Sequence, residues 1–383
     1  MGKEPPGLNP DKVVPRFWQF SPPTRFGPKY RDELDASTNI QVYLHCNVTN
    51  IQTNEFANSV INYLDVRSLD GQSGRITAKI VVLACGGLEN PRVLLTSNKV
   101  TADGVGNEND LVGRYFMAHP HAHCADVMTA DPTRFLDTFG KRTLPQAPLR
   151  PGLCPGERLM RENKILNSAV PARYVPNAGV GAATKMYKAL VRGRMPDDIA
   201  EKLYAIISYL DDVAATAYRR VAQGKPVVSG LKSVFLATQS EQAPNPDSRV
   251  SLIDKKDALG LNRIQLDWRT TEIDKHTIRT MIRTIGAELG RLGYGRIRMW
   301  DWLVEKNSNW PPSFNGSNHH IGTTRMTDDP KTGVVDKNRR VHSVNNLYIA
   351  GSSVFTTSGY ANPTLTIVAL ALHLADHLKQ EFS

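Results

Sequence analysis

The sequence predicts an α/β protein in which strands are followed by covering helices, and three segments carry this prediction. Residues 76–95 are predicted to form a strand with an apolar end, then Gly86-Gly87, then a helix with proline in its first turn. Residues 233–292 are predicted to form three strands and a long amphipathic helix. Residues 347–375 are predicted to form a short buried strand, a loop and a final helix. Such an order is typical of layered domains that contain both helices and sheets.

Each element is predicted from its local pattern. Strands are expected where polarity alternates or stays apolar between turn residues, at 39–48, 60–66, 76–84, 234–239, 249–253, 263–268 and 347–350. Helices are expected where apolar residues recur at helical spacing, at 89–95, 197–220, 271–292 and from Asn362 onward. The apolar stripe of the last helix consists of Leu365, Val368, Ala369, Leu372 and Ala375. Residues 130–230, rich in Pro and Arg, are interpreted as an insertion or lid.

Length and composition are those of a globular protein. A chain of 383 residues with 40% hydrophobic residues can form two domains, or one large domain with an insertion. The most apolar stretch, 363–374, is too short and too polar to span a bilayer. The formal charge of +10 raises the question of nucleic acid or an acidic membrane surface. Because the basic residues are scattered among acids, a solvated surface is expected and no nucleic-acid partner is predicted.

The four cysteines and the N-terminus suggest no special compartment. Cys46, Cys85, Cys124 and Cys154 are far apart, without a CxxC pair or a histidine at metal-ligand spacing. They are predicted to be free or buried thiols, and no metal site is predicted. Because the first residues contain no apolar signal core, a cytoplasmic location is the default, provided that no signal lies upstream.

Two local patterns are suited to chemistry. In Asn362-Pro363-Thr364, Asn is a strong N-cap and Pro gives up an amide that would be unpaired anyway. The positive end of that helix favours negative charge on a cofactor, although an ordinary cap on a core helix explains the same residues.

His319 and His320 lie in a polar loop, where an imidazole of pKa about 6.5 is a candidate general base. Taken alone, two loop histidines are more often surface residues.

Between residues 310 and 380 the chain carries an ordered set of short blocks. The blocks are 318–326, 329–330, 334–336, 340–342, 346–352 and 359–366. In order and spacing they resemble the C-terminal signature of the glucose-methanol-choline (GMC) oxidoreductases, which are FAD-dependent. An ordered set of this kind is far more specific than any lone motif. Three earlier segments are also similar to the family, namely 47–48, 81–91 and 112–120.

The resemblance implies a fold class and a division into domains. The fold would be α/β with α+β elements: part of a Rossmann-like FAD-binding domain, together with a β-sheet substrate domain covered by helices. Residues 1–130 and 311–383 are assigned to the partial FAD-binding domain. Residues 131–310 are assigned to the substrate-binding domain.

The resemblance also implies a dehydrogenase or oxidase that acts on an alcohol or sugar. The family's proton-accepting histidine, three residues before Gly-Thr, falls on His319 and not on His320. The family's second active-site residue falls on Asn362. His319 would take the hydroxyl proton while hydride leaves for flavin N5, and the Asn362 amide would hydrogen-bond the same oxygen. For His119 a structural role is favoured. The predicted FAD contacts are Val48, Gly86, Gly87, Gly351, Ser352, Asn362, Pro363 and Thr364.

The chain departs from the family in one respect. Family members begin with a strand, a GxGxxG turn and a helix that bind the ADP half of FAD. No such segment occurs in this sequence, and the similarity begins near residue 15. Three explanations remain open: a truncated chain, which is favoured, a split enzyme whose partner subunit binds the nucleotide, or a degenerate, non-catalytic protein. The sequence does not specify the substrate or the electron acceptor.

Overall fold

The computed structural model describes residues 7–22, 24–54, 59–143, 147–223, 229–305 and 308–382. Contacts between residues divide the chain into two compact units, each assembled from three segments. The first unit contains Met1–Arg25, Pro120–Ser240 and Ile273–Asn315. The second unit contains Phe26–His119, Glu241–Glu272 and Gly316–Ser383.

Strands and helices are interspersed along the described residues. The strands are β1 (Val13–Gln19), β2 (Asn47–Thr53), β3 (Ile61–Arg67), β4 (Ser73–Ile76), β5 (Val81–Leu83), β6 (His121–Met128), β7 (Arg142–Thr143), β8 (Pro148–Pro155), β9 (Ser168–Ala169), β10 (Ala172–Pro176), β11 (Leu231–Ser240), β12 (Arg249–Lys256), β13 (Asn262–Asp267), β14 (Arg296–Met299) and β15 (Leu347–Ile349). The helices are α1 (Phe26–Asp35), α2 (Gly86–Thr96), α3 (Pro132–Phe139), α4 (Glu157–Asn163), α5 (Ala178–Val191), α6 (Ile199–Ser208), α7 (Leu210–Ala222), α8 (Glu272–Arg291), α9 (Asp301–Val304) and α10 (Thr364–Phe382), with a 3₁₀ helix at Ser352–Val354.

The first unit is built on an antiparallel sheet of order β10-β11-β6-β14, with β9 also paired to β11. A second sheet has the order β1-β8-β7. Helix α8 buries Ile278, Ile282, Ile285 and Leu289 at helical spacing, in one cluster with side chains of β6, β11 and α3. The long amphipathic helix predicted after the strands is therefore confirmed.

The second unit contains a parallel strand pair. β15 lies beside β5, with Leu347 opposite Val81 and Ile349 opposite Leu83. All four side chains are buried in one cluster together with residues of α2. The same unit contains the antiparallel meander β2-β3-β4 and the hairpin β12-β13. The fold class predicted from the sequence, with helices and sheets in one chain, is confirmed.

Several local predictions were wrong. Residues 39–46 form no strand, and β2 begins only at Asn47. The strand predicted over 76–84 is two strands, because Ile76 pairs with β3 and Val81 pairs with β15. The helix predicted over 197–220 is likewise two, α6 and α7, and α5 was not predicted. Alternation of polarity does not identify the partner strand, so it misplaces strand ends.

Helices α2 and α10 also differ from expectation. Helix α2 begins at Gly86, so that Pro91 is its sixth residue and not part of its first turn. In α10 the predicted apolar stripe is largely exposed: Leu365 is 83% exposed and Leu372 is 64% exposed. Leu374 is the one buried residue of this helix. Among the described residues, no helix is long and apolar enough to cross a membrane.

Four segments cluster otherwise than in the predicted domain division: 1–25, 120–130 and 311–315 lie in the first unit, and 241–272 lies in the second. Residues 13–19 belong to the first unit, because β1 pairs with β8 from Val13 opposite Pro155 onward. The hairpin β12-β13 belongs to the second unit, where Arg92 of α2 donates to the Asn262 carbonyl at 2.9 Å. The assignment of cofactor and substrate binding to the two units stays a prediction.

Candidate active site

The glycine turns predicted to contact a cofactor lie at the same edge of the parallel pair β5-β15. Ala350 donates its amide to the Leu83 carbonyl at 2.8 Å, which continues the pairing to the ends of both strands. Gly86 follows β5 and Gly351 follows β15. Because the carboxyl ends of parallel strands meet at one edge, these turns are neighbours there.

Asn90 connects the two turns. It is fully buried on α2, and its Oδ1 accepts the amide of Cys85 at 2.8 Å. Its Nδ2 donates to the Ala350 carbonyl at 3.2 Å and lies 2.9 Å from the Ser353 hydroxyl oxygen. The sequence analysis did not predict this role for Asn90. The signal that could have indicated it is a polar Asn between Gly-Gly and Pro in a predicted helix. Asn90 therefore joins the two strand ends.

The three glycines of the site have different physical requirements. Gly86 and Gly351 adopt φ values of +89° and +106°, which favour glycine, and no atom lies within 4 Å of a Cβ built at either. A Cβ on Gly87 would lie 2.5 Å from the His320 carbonyl oxygen. Gly87 therefore permits close contact with the histidine loop, while open space adjoins Gly86 and Gly351.

Pro91 explains a further contact of that loop. A proline has no amide hydrogen, so the carbonyl four residues earlier, that of Gly87, receives no bond from it within the helix. The Thr323 hydroxyl donates to the Gly87 carbonyl at 2.7 Å instead. Thr323 is fully buried, and so this bond satisfies an acceptor away from water. The Gly-Thr that follows the histidines thus has a structural duty that sequence reasoning did not identify.

Backbone bonds hold the histidine loop, residues 316–324, on two sides. Met117 and Ile321 exchange backbone hydrogen bonds of 2.9 and 3.0 Å. Gly322 donates to the Ser352 carbonyl at 3.1 Å, and the Ser352 hydroxyl donates to the His320 carbonyl at 2.7 Å. The predicted residues His319, Gly87 and Ser352 are therefore brought together by the fold.

The two histidine rings are packed differently. The His319 ring meets the ring of His119 edge-on, with centroids 4.8 Å apart. The His320 ring is tilted against Phe116 at 5.8 Å. His119 is fully buried, as suits the structural role predicted for it. Nδ1 of His319 is buried and makes no hydrogen bond to any residue that the structure describes.

Both histidines favour the neutral form. Burial lowers the pKa of His319, and the neighbouring charge of His320 lowers it further. Burial alone lowers the pKa of His320. An imidazole with its pKa below 6.5 is neutral near pH 7 and carries a free lone pair. His319 is therefore in the protonation state that a proton acceptor requires.

The predicted residues at the start of α10 are more exposed. The helix begins at Thr364, and the Pro363 carbonyl accepts the Ile367 amide at 2.9 Å. Pro363 thus occupies the cap position, and Asn362 precedes it by one residue, which corrects the predicted N-cap. Asn362 and Thr364 are both exposed. Val48 lies elsewhere in the second unit, on β2 opposite Val66 of the meander.

The other reactive groups considered are the cysteines and the side chains that could bind a metal ion. None of the four cysteines, all of which lie within the described residues, forms a disulfide: Cys85 is exposed, Cys46 is half-buried, and Cys124 and Cys154 are buried. Burial raises the pKa of the Cys85 thiol. Within the part of the chain that the structure describes, no group of three or more His, Cys, Asp or Glu side chains could hold a metal ion.

A family model described as GMC oxidoreductase matches residues 244–371. The match includes the histidine loop, β15 and the start of α10. These residues form a GMC oxidoreductase C-terminal domain. The family resemblance predicted from the ordered blocks is confirmed.

Curated relatives of this chain are named dehydrogenases and oxidases. It is 28% identical over 312 residues to the fructose dehydrogenase large subunit of Gluconobacter japonicus, covering 80% of this chain and 48% of the relative. It is 28% identical over 346 residues to the 2-methyl-1,2-propanediol dehydrogenase of Mycolicibacterium austroafricanum, covering 88% and 54%. The chain thus spans about half the length of the curated relatives it matches.

Solved structures of flavoenzymes share the fold. The pyridoxine 4-oxidase from Mesorbium loti aligns with a TM-score of 0.50 and 18% identity, over 88% of this chain and 57% of that protein. An FAD-dependent oxidoreductase from Chaetomium thermophilum aligns with a TM-score of 0.51 and 18% identity, over 93% and 64%. At this level of identity the likeness concerns the fold alone.

Proposed function

We propose that this GMC chain supplies the catalytic half of an FAD-dependent enzyme that oxidises a CH-OH group of an alcohol or sugar. The observation that carries the proposal is the setting of His319. Its Nδ1 has no hydrogen-bond partner among the described residues, and its loop contacts the glycine turns at the ends of β5 and β15. The names of fructose dehydrogenase and 2-methyl-1,2-propanediol dehydrogenase place sugar and alcohol oxidation among the relatives.

The residues at this edge fit a flavin nucleotide. Gly86 and Gly351 have no atom within 4 Å of a built Cβ, so a flat ring or a phosphate can approach the backbone there. Gly86, Gly87, Gly351 and Ser352 would hold the flavin and its phosphates, and Val48 would contact the adenine side. Asn362, Pro363 and Thr364 would add the positive end of α10. FAD, when bound, takes up the hydride from the carbinol carbon.

His319 would act as the proton acceptor. Because burial and His320 lower its pKa, it is neutral at pH 7 and can take the hydroxyl proton of the substrate. The edge-on contact with His119 keeps the His319 ring from rotating freely. The Asn362 amide would donate a hydrogen bond to the same hydroxyl oxygen and orient it. The substrate would thus be held by one acceptor and one donor.

The test is made on the protein produced from its complete gene. We expect it to purify with flavin, and the visible flavin absorbance to disappear anaerobically on addition of one member of a panel of sugars, polyols and simple alcohols. Substitution His319→Ala should keep the flavin and slow its reduction by about 10²–10⁴-fold, as loss of a general base does. His320→Ala, in the same loop, is the matched control and should reduce at a rate near that of the parent protein. A colourless gene product, or equal loss in both variants, contradicts the proposal.

A second candidate rests on the absence of GxGxxG from the sequence. The chain would then be a non-catalytic fragment, or a subunit that needs a partner for the ADP-binding half. The distinguishing measurement is flavin uptake by the 383-residue chain, first alone and then produced together with a separately encoded strand-GxGxxG-helix protein. Uptake only in the second case supports a split enzyme. A stable, colourless protein in both cases supports a non-catalytic role.

A further inference from the structure

Helices α5 and α6 of the first unit form a helical hairpin that leaves large apolar side chains uncovered. On α5 and in the turn after it, the exposed fractions lie between 58% and 76%. The residues concerned, here named the tip patch, are Tyr187, Leu190, Val191 and Met195. Tyr187, Leu190 and Val191 have i, i+3 and i+4 spacing and so share one helix face. Helix α6 adds exposed Tyr204 and Ile207 and has no buried residue at all. Exposed apolar groups that lie together mark interaction sites.

Cations are interleaved with the tip patch. Lys185, Lys188, Arg192 and Arg194 are exposed, and no acid occurs between residues 178 and 196. None of these four side chains makes an ion pair with any other residue in the described ranges. Long Lys and Arg side chains can lay their stems on apolar surface and keep the charge at its border. In this stretch, unlike the chain as a whole, the basic residues are not interspersed with acids.

Hydrogen bonds and close packing define the base of the hairpin. At its base the Asn177 side chain accepts the Val180 amide at 3.0 Å and donates to Asp212 of α7 at 2.7 Å. A Cβ on Gly179 would lie 2.7 Å from the Ala205 carbonyl, so α5 and α6 approach closely there.

The end of α5 is equally well defined. Gly193 adopts φ +65°, and the Gly193 and Arg194 amides donate to the Leu190 and Ala189 carbonyls. These are the two bonds of a Schellman cap. The exposure of the tip patch therefore belongs to an ordered helix end.

We propose that the tip patch docks on an anionic lipid membrane, with its apolar side chains in the boundary between headgroups and acyl chains. A helix face of apolar residues bordered by Lys and Arg is typical of helices that lie in this interface. Each nearby cation strengthens the attraction to anionic lipids. The acids that follow the tip, Asp197 and Asp198, would limit the depth of insertion.

A lipid surface fits these residues better than a folded partner. A stable protein interface buries about 800 Å² on each side. Cations buried in such an interface are costly unless each is paired with a group of opposite charge. Here cations and apolar side chains alternate along one short helix end. A fluid bilayer matches such a pattern, because anionic headgroups move to the cations while the acyl chains receive the apolar groups.

The first experiment measures sedimentation of the purified chain with vesicles. We expect binding to mixed phosphatidylcholine and phosphatidylglycerol vesicles that weakens with salt, and little binding to pure phosphatidylcholine. The double variant Lys188→Glu with Arg192→Glu should bind at least about 30-fold more weakly, since each cation near the surface contributes about a factor of five. The matched control, Arg161→Glu with Lys164→Glu, makes the same charge change at exposed residues of α4 and the residue after it. It should retain most of the binding.

The second experiment tests insertion of the apolar groups. A tryptophan introduced by Tyr187→Trp should be quenched by brominated lipids more strongly than the five native tryptophans. Leu190→Ser with Val191→Ser should lose the binding, whereas Met128→Ser, at an exposed apolar residue of β6, should not.

Failure to bind phosphatidylglycerol vesicles, or equal losses in controls and test variants, overturns the proposal. So does a dimer in sedimentation velocity that Leu190→Ser dissociates, which would assign the patch to a second copy of this chain. None of these measurements depends on bound flavin or on catalysis, so their outcome is independent of the proposed function.

Discussion

His319 and Asn362 are predicted to act on one hydroxyl oxygen, yet they lie in opposite structural settings. The histidine loop is hydrogen-bonded to Met117 on one side and to Ser352 on the other. Helix α10, which begins just after Asn362, buries only Leu374 and leaves Leu365 almost fully exposed. Contacts within the second unit therefore hold the loop of the proposed proton acceptor more firmly than the helix that follows the proposed hydrogen-bond donor.

The difference shows which part of the site is preorganised. Catalytic groups act efficiently when packing and hydrogen bonds already hold them in place. The Thr323 hydroxyl, bonded to the Gly87 carbonyl, and the hydroxyl and carbonyl of Ser352 do this for the histidine loop. Helix α10 contacts the rest of its unit through Leu374, through partly buried Leu370, and through the bond of 2.7 Å between Arg339 and His373 Nδ1. Four measurements test this contrast.

The largest effect is expected at Leu374. Leu374→Ala removes the one buried side chain of α10 and should destabilise the helix by about 2–5 kcal/mol, as other buried Leu→Ala changes do. Hydrogen exchange of the α10 amides should accelerate, while the amides of β15 stay protected. Leu372→Ala, at a mainly exposed position, is the control and should leave exchange unchanged. Equal acceleration in both variants would show that Leu374 does not anchor the helix.

The next effect is expected at Gly87. A Cβ there would lie 2.5 Å from the His320 carbonyl oxygen, so Gly87→Ala must displace backbone and should cost about 1–3 kcal/mol of unfolding free energy. Urea unfolding of the chain measures the change. Gly74→Ala on β4 is the control, because its Cβ would meet only Val66 at an ordinary 3.7 Å. An unchanged midpoint for Gly87→Ala would mean that the histidine loop is not tightly packed on α2.

A somewhat smaller effect is expected at Thr323. Thr323→Val leaves the buried Gly87 carbonyl without its donor and should cost about 1–2 kcal/mol. Thr324→Val is a closely matched control, since the buried Thr324 hydroxyl has no hydrogen-bond partner among the described residues. That variant should be neutral or slightly stabilising. The prediction fails if the two neighbouring substitutions have the same effect in urea unfolding.

The smallest effect is expected when the pH is lowered from 7 to 5. Because the folded-state pKa values of His319 and His320 are lowered, the unfolded chain binds more protons below pH 6.5. Stability contributed by these two groups is therefore present above pH 6.5 and lost as pH falls towards their folded-state values. His319→Gln with His320→Gln should reduce the fall in unfolding midpoint between pH 7 and pH 5. An identical pH dependence in parent and variant would show that the histidines are not held neutral by burial.

Elements whose signals are local could be predicted from the sequence. The regular spacing of Ile278, Ile282 and Ile285 predicted α8, and the apolar run before Gly351 predicted β15, because both periodicities extend over a few residues. The ordered blocks between 310 and 380 predicted the GMC family for the same reason. They also pointed to His319 as the proton acceptor, which stays a prediction.

Contacts between residues far apart in the sequence are seen only in the folded chain. The bond from Thr323 to the Gly87 carbonyl joins positions 236 residues apart, and no local pattern specifies it. The same holds for the His119-His319 contact, for Asn90 between the strand ends, and for the absence of a strand at 39–46. In each case the outcome depends on which group lies opposite in space, and local spacing carries no information about that partner. The apolar stripe of α10 has the period of a core helix but lies exposed, because burial depends on what packs against a helix and not on its spacing alone.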